Sequence, residues 1–229
     1  TSLLGKTWRV REGGLSALLS RKLDDATVTF HDPFLFPDME KAVERLQRAM
    51  NAGERVVVLG DYDVDGISGT AILVHALREL GGEVSYRLPD RQDGYGLRPH
   101  WVEKLKAIGI EVLITVDCGI SNAKEIEALQ KAGIDVIITD HHALPMAPKG
   151  ASSSSTSLLP RAFAILHPRL PNSLYPFHEL SGSGMAYKLA MGLFARLRPT
   201  AAAHCTRTRY AALASLGTVA DCVPLIGEN

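Results

Sequence analysis

Short runs of β-branched and aliphatic residues alternate along the chain with longer stretches in which apolar positions recur every three to four residues. That alternation is the pattern of a parallel sheet wrapped by helices. The apolar runs predict strands at 56–59, 84–88, 112–116, 136–139 and 162–166. Helices are predicted near 39–52, 67–80, 99–108 and 121–132. Gly53, Gly81, Gly109 and Gly133 each follow one of them and can take the left-handed conformation that closes a helix. Beyond the last strand the pattern turns helical, at 185–197 and 210–219, as a smaller appendage beside or below the sheet. The expected fold is therefore α/β: a parallel sheet of about five strands wrapped by helices, with a smaller helical C-terminal part. The division expected is an N-terminal extension over 1–37, an α/β domain over 38–168 and a helical continuation over 169–229. Residues 146–160, with Ala-Ser-Ser-Ser-Ser-Thr-Ser at their centre, read as a mobile insertion too polar to order itself.

Composition narrows the classes. The 229 residues are enough for one large core. No stretch approaches the roughly 20 apolar residues of a membrane span and no basic-then-apolar leader opens the chain, so a cytoplasmic protein is expected. Cys118, Cys205 and Cys222 are an odd set without CxxC spacing, which suggests neither a disulfide framework nor a zinc knuckle. Twenty-five basic residues balance twenty-five acidic ones, so bulk electrostatics cannot be what holds a polyanion.

The acids fall in equivalent places. Asp61, Asp63 and Asp65 follow the first predicted strand, Asp117 the third, and Asp140-His141-His142 the fourth. In an open parallel sheet these strand ends share one edge, where ligand crevices form. Five carboxylates gathered there without Lys or Arg would repel one another and hold protons unless cations neutralised them. Carboxylates with imidazoles and no thiolate point to Mn²⁺ or Mg²⁺ over zinc, the imidazole favouring Mn²⁺. The number of acids asks for two ions about 3.5–4 Å apart, the arrangement that hydrolyses phosphoesters. Simpler roles compete. A lone Asp after a strand is often a helix N-cap. Asp-x-Asp-x-Asp-Gly also opens a calcium loop, but Ile72 stands where that loop needs Glu.

The triplet Asp140-His141-His142, with Gly60-Asp61-Tyr62-Asp63-Val64-Asp65-Gly66, Thr115-Val116-Asp117-Cys118-Gly119 and Gly217-Thr218-Val219-Ala220-Asp221, resembles the DHH phosphoesterase family in order and spacing. Asp61, Gly94-Tyr95-Gly96 and Leu180-Ser181-Gly182-Ser183-Gly184 are similar to its RecJ exonuclease branch. The resemblance implies metal ligands at Asp61, Asp63, Asp65, Asp117, His141 and Asp221, with Asp117 bridging two Mn²⁺ ions, or Mg²⁺ in their place. It implies catalytic roles for Asp63, Asp65, Asp117, His141 and His142, with His142 facing the scissile phosphate. Arg91 is a candidate phosphate contact against a solvated arginine, on a spacer one residue shorter than that branch uses. Gly182, Ser183 and Gly184 could offer backbone N–H groups to an anion, or serve close helix packing. Cys118 and Cys222 are expected to be small packing residues, and His75, His100, His167, His178 and His204 structural or surface ones. The implied activity is 5′ to 3′ degradation of single-stranded DNA in repair and recombination, with single-strand-binding protein and a helicase as partners and further C-terminal domains beyond this chain. The alternatives are a DHH phosphodiesterase acting on short oligonucleotides or cyclic dinucleotides, and a replication scaffold that has lost catalysis.

Overall fold

Each of the five apolar runs forms a strand: β1 (Val56–Gly60), β2 (Val84–Arg87), β3 (Val112–Val116), β4 (Asp135–Thr139) and β5 (Ala164–Leu166). In the computed structural model, which describes residues 30–145, 159–200 and 210–229, they pair in parallel in the order β2-β1-β3-β4-β5. His31–Asn229 make one compact unit. Most of the expected N-terminal extension (1–29), most of the serine-rich insertion (146–158), Cys205 and His204 lie outside the described residues.

Helices α1 (Met39–Ala52), α2 (Val64–Glu79), α3 (Pro99–Ile108), α4 (Ala123–Lys131), α5 (Gly182–Leu197) and α6 (Ala211–Ala220) cover both faces. Strand side chains alternate between the faces. Val57, Leu59, Leu113, Val136 and Ile138 pack with Trp101, Leu105, Ile126 and Leu129 of α3 and α4. The opposite face carries α1, α2 and α5. Both of its interior helices are apolar nearly all round, as burial on several sides requires. The glycines expected to end helices at 53, 81, 109 and 133 all take positive φ.

Two departures from the sequence reading share a cause. α2 begins at Val64 instead of 67, and α5 at Gly182 instead of 185, because Asp63 and Ser181 cap them: each side chain accepts from the backbone N–H three residues on, Gly66 and Gly184. Between each cap and the start of the regular apolar period stand Val64-Asp65-Gly66 and Gly182-Ser183-Gly184, in which Val64 is the only apolar side chain larger than glycine, so periodicity alone misses the first turn. The smaller C-terminal part is also more integral than an appendage. α5 is buried along most of its length between α2, α6 and the sheet, since Met185, Ala186, Leu189, Ala190, Leu193 and Phe194 leave it no polar face broad enough for solvent.

Candidate metal centre

The sheet ladder runs one residue past the strands that carry the motifs. Asp61 N–H donates to Val116 O at 3.2 Å, Asp117 N–H to Thr139 O at 2.9 Å and Asp140 N–H to Leu166 O at 3.2 Å. Three separate motifs are thereby locked side by side along the carboxyl edge. Strand order reverses between β1 and β3, so Asp61 and Asp117 flank the topological switch point, where such sheets open a crevice. Asp117 has φ 60°, a left-handed backbone that non-glycine residues rarely adopt.

Helix ends bring in the remaining groups. Asp63 caps α2, and Asp65 lies in its first turn, buried. The N–H groups of Gly182 and Ser183 donate to Asp65 Oδ2 at 2.6 Å and Oδ1 at 2.9 Å. Gly184 N–H goes to Ser181 Oγ at 3.1 Å. The amino end of α5 does bind an anion, as its glycines suggested, but the anion is the protein's own carboxylate. Gly182, Ser183 and Gly184 are buried with these donors occupied, which corrects their expected role in substrate binding. The glycines answer to close approach. A Cβ at Gly182 would stand 2.5 Å from Asp117 Oδ1, and one at Gly217 of α6 would stand 2.3 Å from Asp65 Oδ1.

His141 is at the centre. Its Nε2 lies 3.1 Å from Asp117 Oδ1, 3.5 Å from Asp221 Oδ2 and 3.9 Å from Asp65 Oδ2. Despite the 3.1 Å separation, His141 Nε2 and Asp117 Oδ1 are not aligned for a hydrogen bond. Both are buried without a hydrogen-bond partner, as is Asp61 Oδ1. Buried polar atoms almost always find partners. Atoms that face one another across a short gap without sharing a proton are placed as ligands to a common ion are. Among the described residues the candidate ligand atoms gather in three overlapping groups: Asp61 with Asp63 and Asp117, Asp65 with His141 and Asp221, and Asp117 with His141 and His142. Asp221 ends α6 as its C-cap, where the helix dipole disfavours an acid, so capping does not account for a carboxylate there.

The electrostatics agree. Burial, reinforced by Asp65, pushes the Asp117 carboxyl up to about 10. Burial also raises Asp61, with Asp63 adding to it. Asp221 is raised by burial, His141 pulling it down and Asp65 up. Without cations Asp117 would retain its proton, and Asp61 and Asp221 would release theirs less readily than free carboxyls. A donor set of oxygens with one imidazole and no thiolate fits hard divalent ions.

Asp140, the first residue of the triplet, turns inward. Burial alone would raise it, but its carboxylate accepts from the His142 ring at 2.8 Å and from the backbone N–H groups of Ile120, His141 and His142, and these hold it below the ordinary carboxylate range. The Asp140 hydrogen bond in turn raises His142, outweighing burial. Two residues support His142 in ways the sequence did not assign: His167, expected only to be structural or surface, and Tyr95, noted only within Gly94-Tyr95-Gly96. Buried His167, kept neutral by burial, donates from Nε2 to His142 O at 2.8 Å and accepts at Nδ1 from Arg169 N–H. The Tyr95 hydroxyl stands between Asp117 O and His142 Nδ1. A histidine one residue past β5 was the available signal for the first; for Tyr95 the glycine-flanked segment marked the place but not the partners, which lie 22 and 47 positions away.

Arg91 is exposed, its guanidinium 5.6 Å from the ring of Tyr62, which sits between Asp61 and Asp63, so it borders the acid cluster. Cys118 is buried as expected, whereas Cys222 is exposed, its positive φ turning it out of the bend after α6. His75 and His100 are surface residues. No helix among the described residues is long and apolar enough to cross a membrane.

Residues 55–218 match the family model described as DHH family, N-terminal domain. The chain is 38% identical over 201 residues to the single-stranded-DNA-specific exonuclease RecJ of Bacillus subtilis, covering 87% of this chain and 23% of that protein. It is 40% identical over 199 residues to the protein of that name from Escherichia coli K12, covering 83% and 33%. A crystal structure of exonuclease RecJ bound to manganese superposes with a TM-score of 0.69 at 36% identity, covering 85% of this chain and 46% of the other. The chain thus spans 23% and 33% of the length of these two curated relatives.

Proposed function

The chain belongs to the DHH family, and from that membership we propose that it is the catalytic domain of a RecJ-type exonuclease, a two-metal phosphodiesterase degrading single-stranded DNA from 5′ to 3′ in repair and recombination. In this reading residues 38–168 are the metal-binding domain and 169–229 a continuation that supplies Asp221. Asp61, Asp63, Asp65, Asp117, His141 and Asp221 would hold two Mn²⁺ ions, or Mg²⁺ in their place. Arg91 meets substrate phosphate. The protein works in the cytoplasm beside single-strand-binding protein and a helicase. One observation carries the reading: buried Asp61 Oδ1, Asp117 Oδ1 and His141 Nε2 converge without hydrogen-bond partners.

Two divalent ions, when bound, supply Lewis-acid polarisation of the phosphoryl group and an activated water. The chain's own residues do the rest. Asp140 directs the His142 ring, and His167 fixes the backbone behind it. The half-exposed outer end of His142 is then aimed into the cleft, where the ring, when protonated at both nitrogens, can donate to a phosphate oxygen as negative charge builds on it. The intact acid cluster favours an enzyme over a scaffold, because carboxylates crowded without cations destabilise the fold.

Calorimetric titration with Mn²⁺ should give about two sites, and fewer in Asp117→Ala. The Mn²⁺-loaded protein should release nucleotides from a long 5′-phosphorylated single strand, and Asp117→Ala should lose nearly all of that activity. A single site untouched by Asp117→Ala, or turnover confined to dinucleotides, would overturn the reading.

A further inference from the structure

The loop between β2 and α3 is built to deliver one side chain. Gly94 and Gly96, on either side of Tyr95, have φ of 79° and 78°, so the chain turns sharply at both. Asn122, at the start of α4, clamps the loop from behind. Leu97 N–H donates to Asn122 Oδ1 at 3.2 Å, and Asn122 Nδ2 donates to Leu97 O at 3.0 Å. So held, Tyr95 lays its ring beside the His142 imidazole, with centroids 5.1 Å apart. Its Oη lies 3.2 Å from Asp117 O and 3.0 Å from His142 Nδ1.

Counting protons assigns the roles. A backbone carbonyl only accepts, so the single Tyr95 O–H proton goes to Asp117 O. The Tyr95 oxygen then turns a lone pair toward His142 Nδ1. Asp140 Oδ1, 2.8 Å from the same nitrogen, is a second acceptor. Two acceptors at one ring nitrogen require that nitrogen to carry the proton, which leaves the lone pair of the neutral ring at Nε2. Asp140 alone would select the tautomer yet leave the ring held at one point, whereas a second acceptor at the same nitrogen restrains its turning. The same hydroxyl satisfies the carbonyl of Asp117, the residue held in a left-handed backbone.

We propose that Tyr95 is a positioning residue, its hydroxyl fixing the tautomer and aim of His142 and bracing the backbone of Asp117. The proposal rests on the reading of His142 as the group that meets the scissile phosphate. It makes the β2–α3 loop, which also carries Arg91, part of the hydrolytic apparatus: a loop displaced from the cleft releases the ring.

The test is Tyr95→Phe, which keeps the ring and its packing and removes only the hydroxyl. With saturating Mn²⁺ and a 5′-phosphorylated single strand, kcat should fall roughly ten- to a hundredfold, the size of effect that loss of aim produces. KM should stay within about twofold, as when an interaction made only in the transition state is removed. Melting temperature and Mn²⁺ stoichiometry should be unchanged. In parallel, ¹⁵N-histidine NMR of the Mg²⁺-loaded protein, with the His142 signals assigned by their absence in His142→Gln, reads the ring directly. The wild type should show a solvent-protected proton on Nδ1, and Tyr95→Phe should exchange it faster. A wild-type His142 ring with no proton on Nδ1, an unchanged kcat in Tyr95→Phe, or a kcat loss matched by loss of Mn²⁺ sites would each overturn the proposal. Were the wild type inactive on DNA, the proposed function would fall, and the ring protonation alone would still decide the geometry.

Discussion

At Asp117 a left-handed backbone and a buried carboxylate coincide with a place beside Asp61 and Asp63 in one ligand group and beside His141 and His142 in another, and the room it occupies is defined to a fraction of an ångström by Gly182. Gly182→Ala should therefore act on the metal centre before it acts on the fold. The new methyl lies 2.5 Å from Asp117 Oδ1, and relief of such overpacking costs about 1–3 kcal/mol. Mn²⁺ titration of this variant should lose at least one of the two proposed sites while its circular dichroism stays that of the wild type; two sites of undiminished affinity would refute the expectation. Individual acids were legible in the sequence because a strand ends on a countable residue, and Asp61, Asp117 and Asp140 each stand one place past such an end. Their division of labour was not. Asp140 serves His142, and Asp65 answers to Gly182, 117 positions away, a pairing that no local spacing announces.

Among the helices, α5 hides a charge in an apolar setting. Lys188 is 1% exposed and donates to Glu228 Oε1 at 2.7 Å and to His31 O at 3.3 Å, and Glu228 also accepts from the Tyr175 hydroxyl. This network ties the segment after Asp221 to the middle of α5. Removing one partner of a buried pair costs about 3–5 kcal/mol, because the other stays buried and uncompensated. Lys188→Met should destabilise by that order in urea unfolding, and adding Glu228→Gln should recover part of the loss. A Lys188→Met variant as stable as the wild type would show the pair to be dispensable. The existence and order of the elements followed from hydrophobic period, but the first turns of α2 and α5 did not, since capping residues carry no periodicity. The lysine inside α5 was equally invisible: sequence shows a long cation, and only packing shows that it has been taken out of water.

The whole molecule should register its metal centre as a pH dependence. In the metal-free protein, burial and neighbouring acids set Asp117 near 10, far above its value in an unfolded chain, about 4. Between those limits the folded state keeps a proton that the unfolded state has released, so stability falls as pH rises, the cost being complete above the folded value. Asp61 and Asp221 act in the same direction. Melting temperature in a chelator should decline from about pH 5 to about pH 9, and saturating Mn²⁺ should flatten the decline, since the ions stand in for the protons and bind only the folded form. A metal-free melting temperature that climbs across this range would contradict the electrostatic account. Asp65 bears on a longer timescale. It belongs to the acid cluster and also closes the amino end of α5, so two independent selective pressures hold it. A lineage that gave up hydrolysis could trade away His141 or Asp221 at little structural cost, yet trading Asp65 would open the junction of α2 with α5. Shape and chemistry would then decay at different rates in descent, and an aspartate surviving alone at that place would record ancestry of form after the activity had gone.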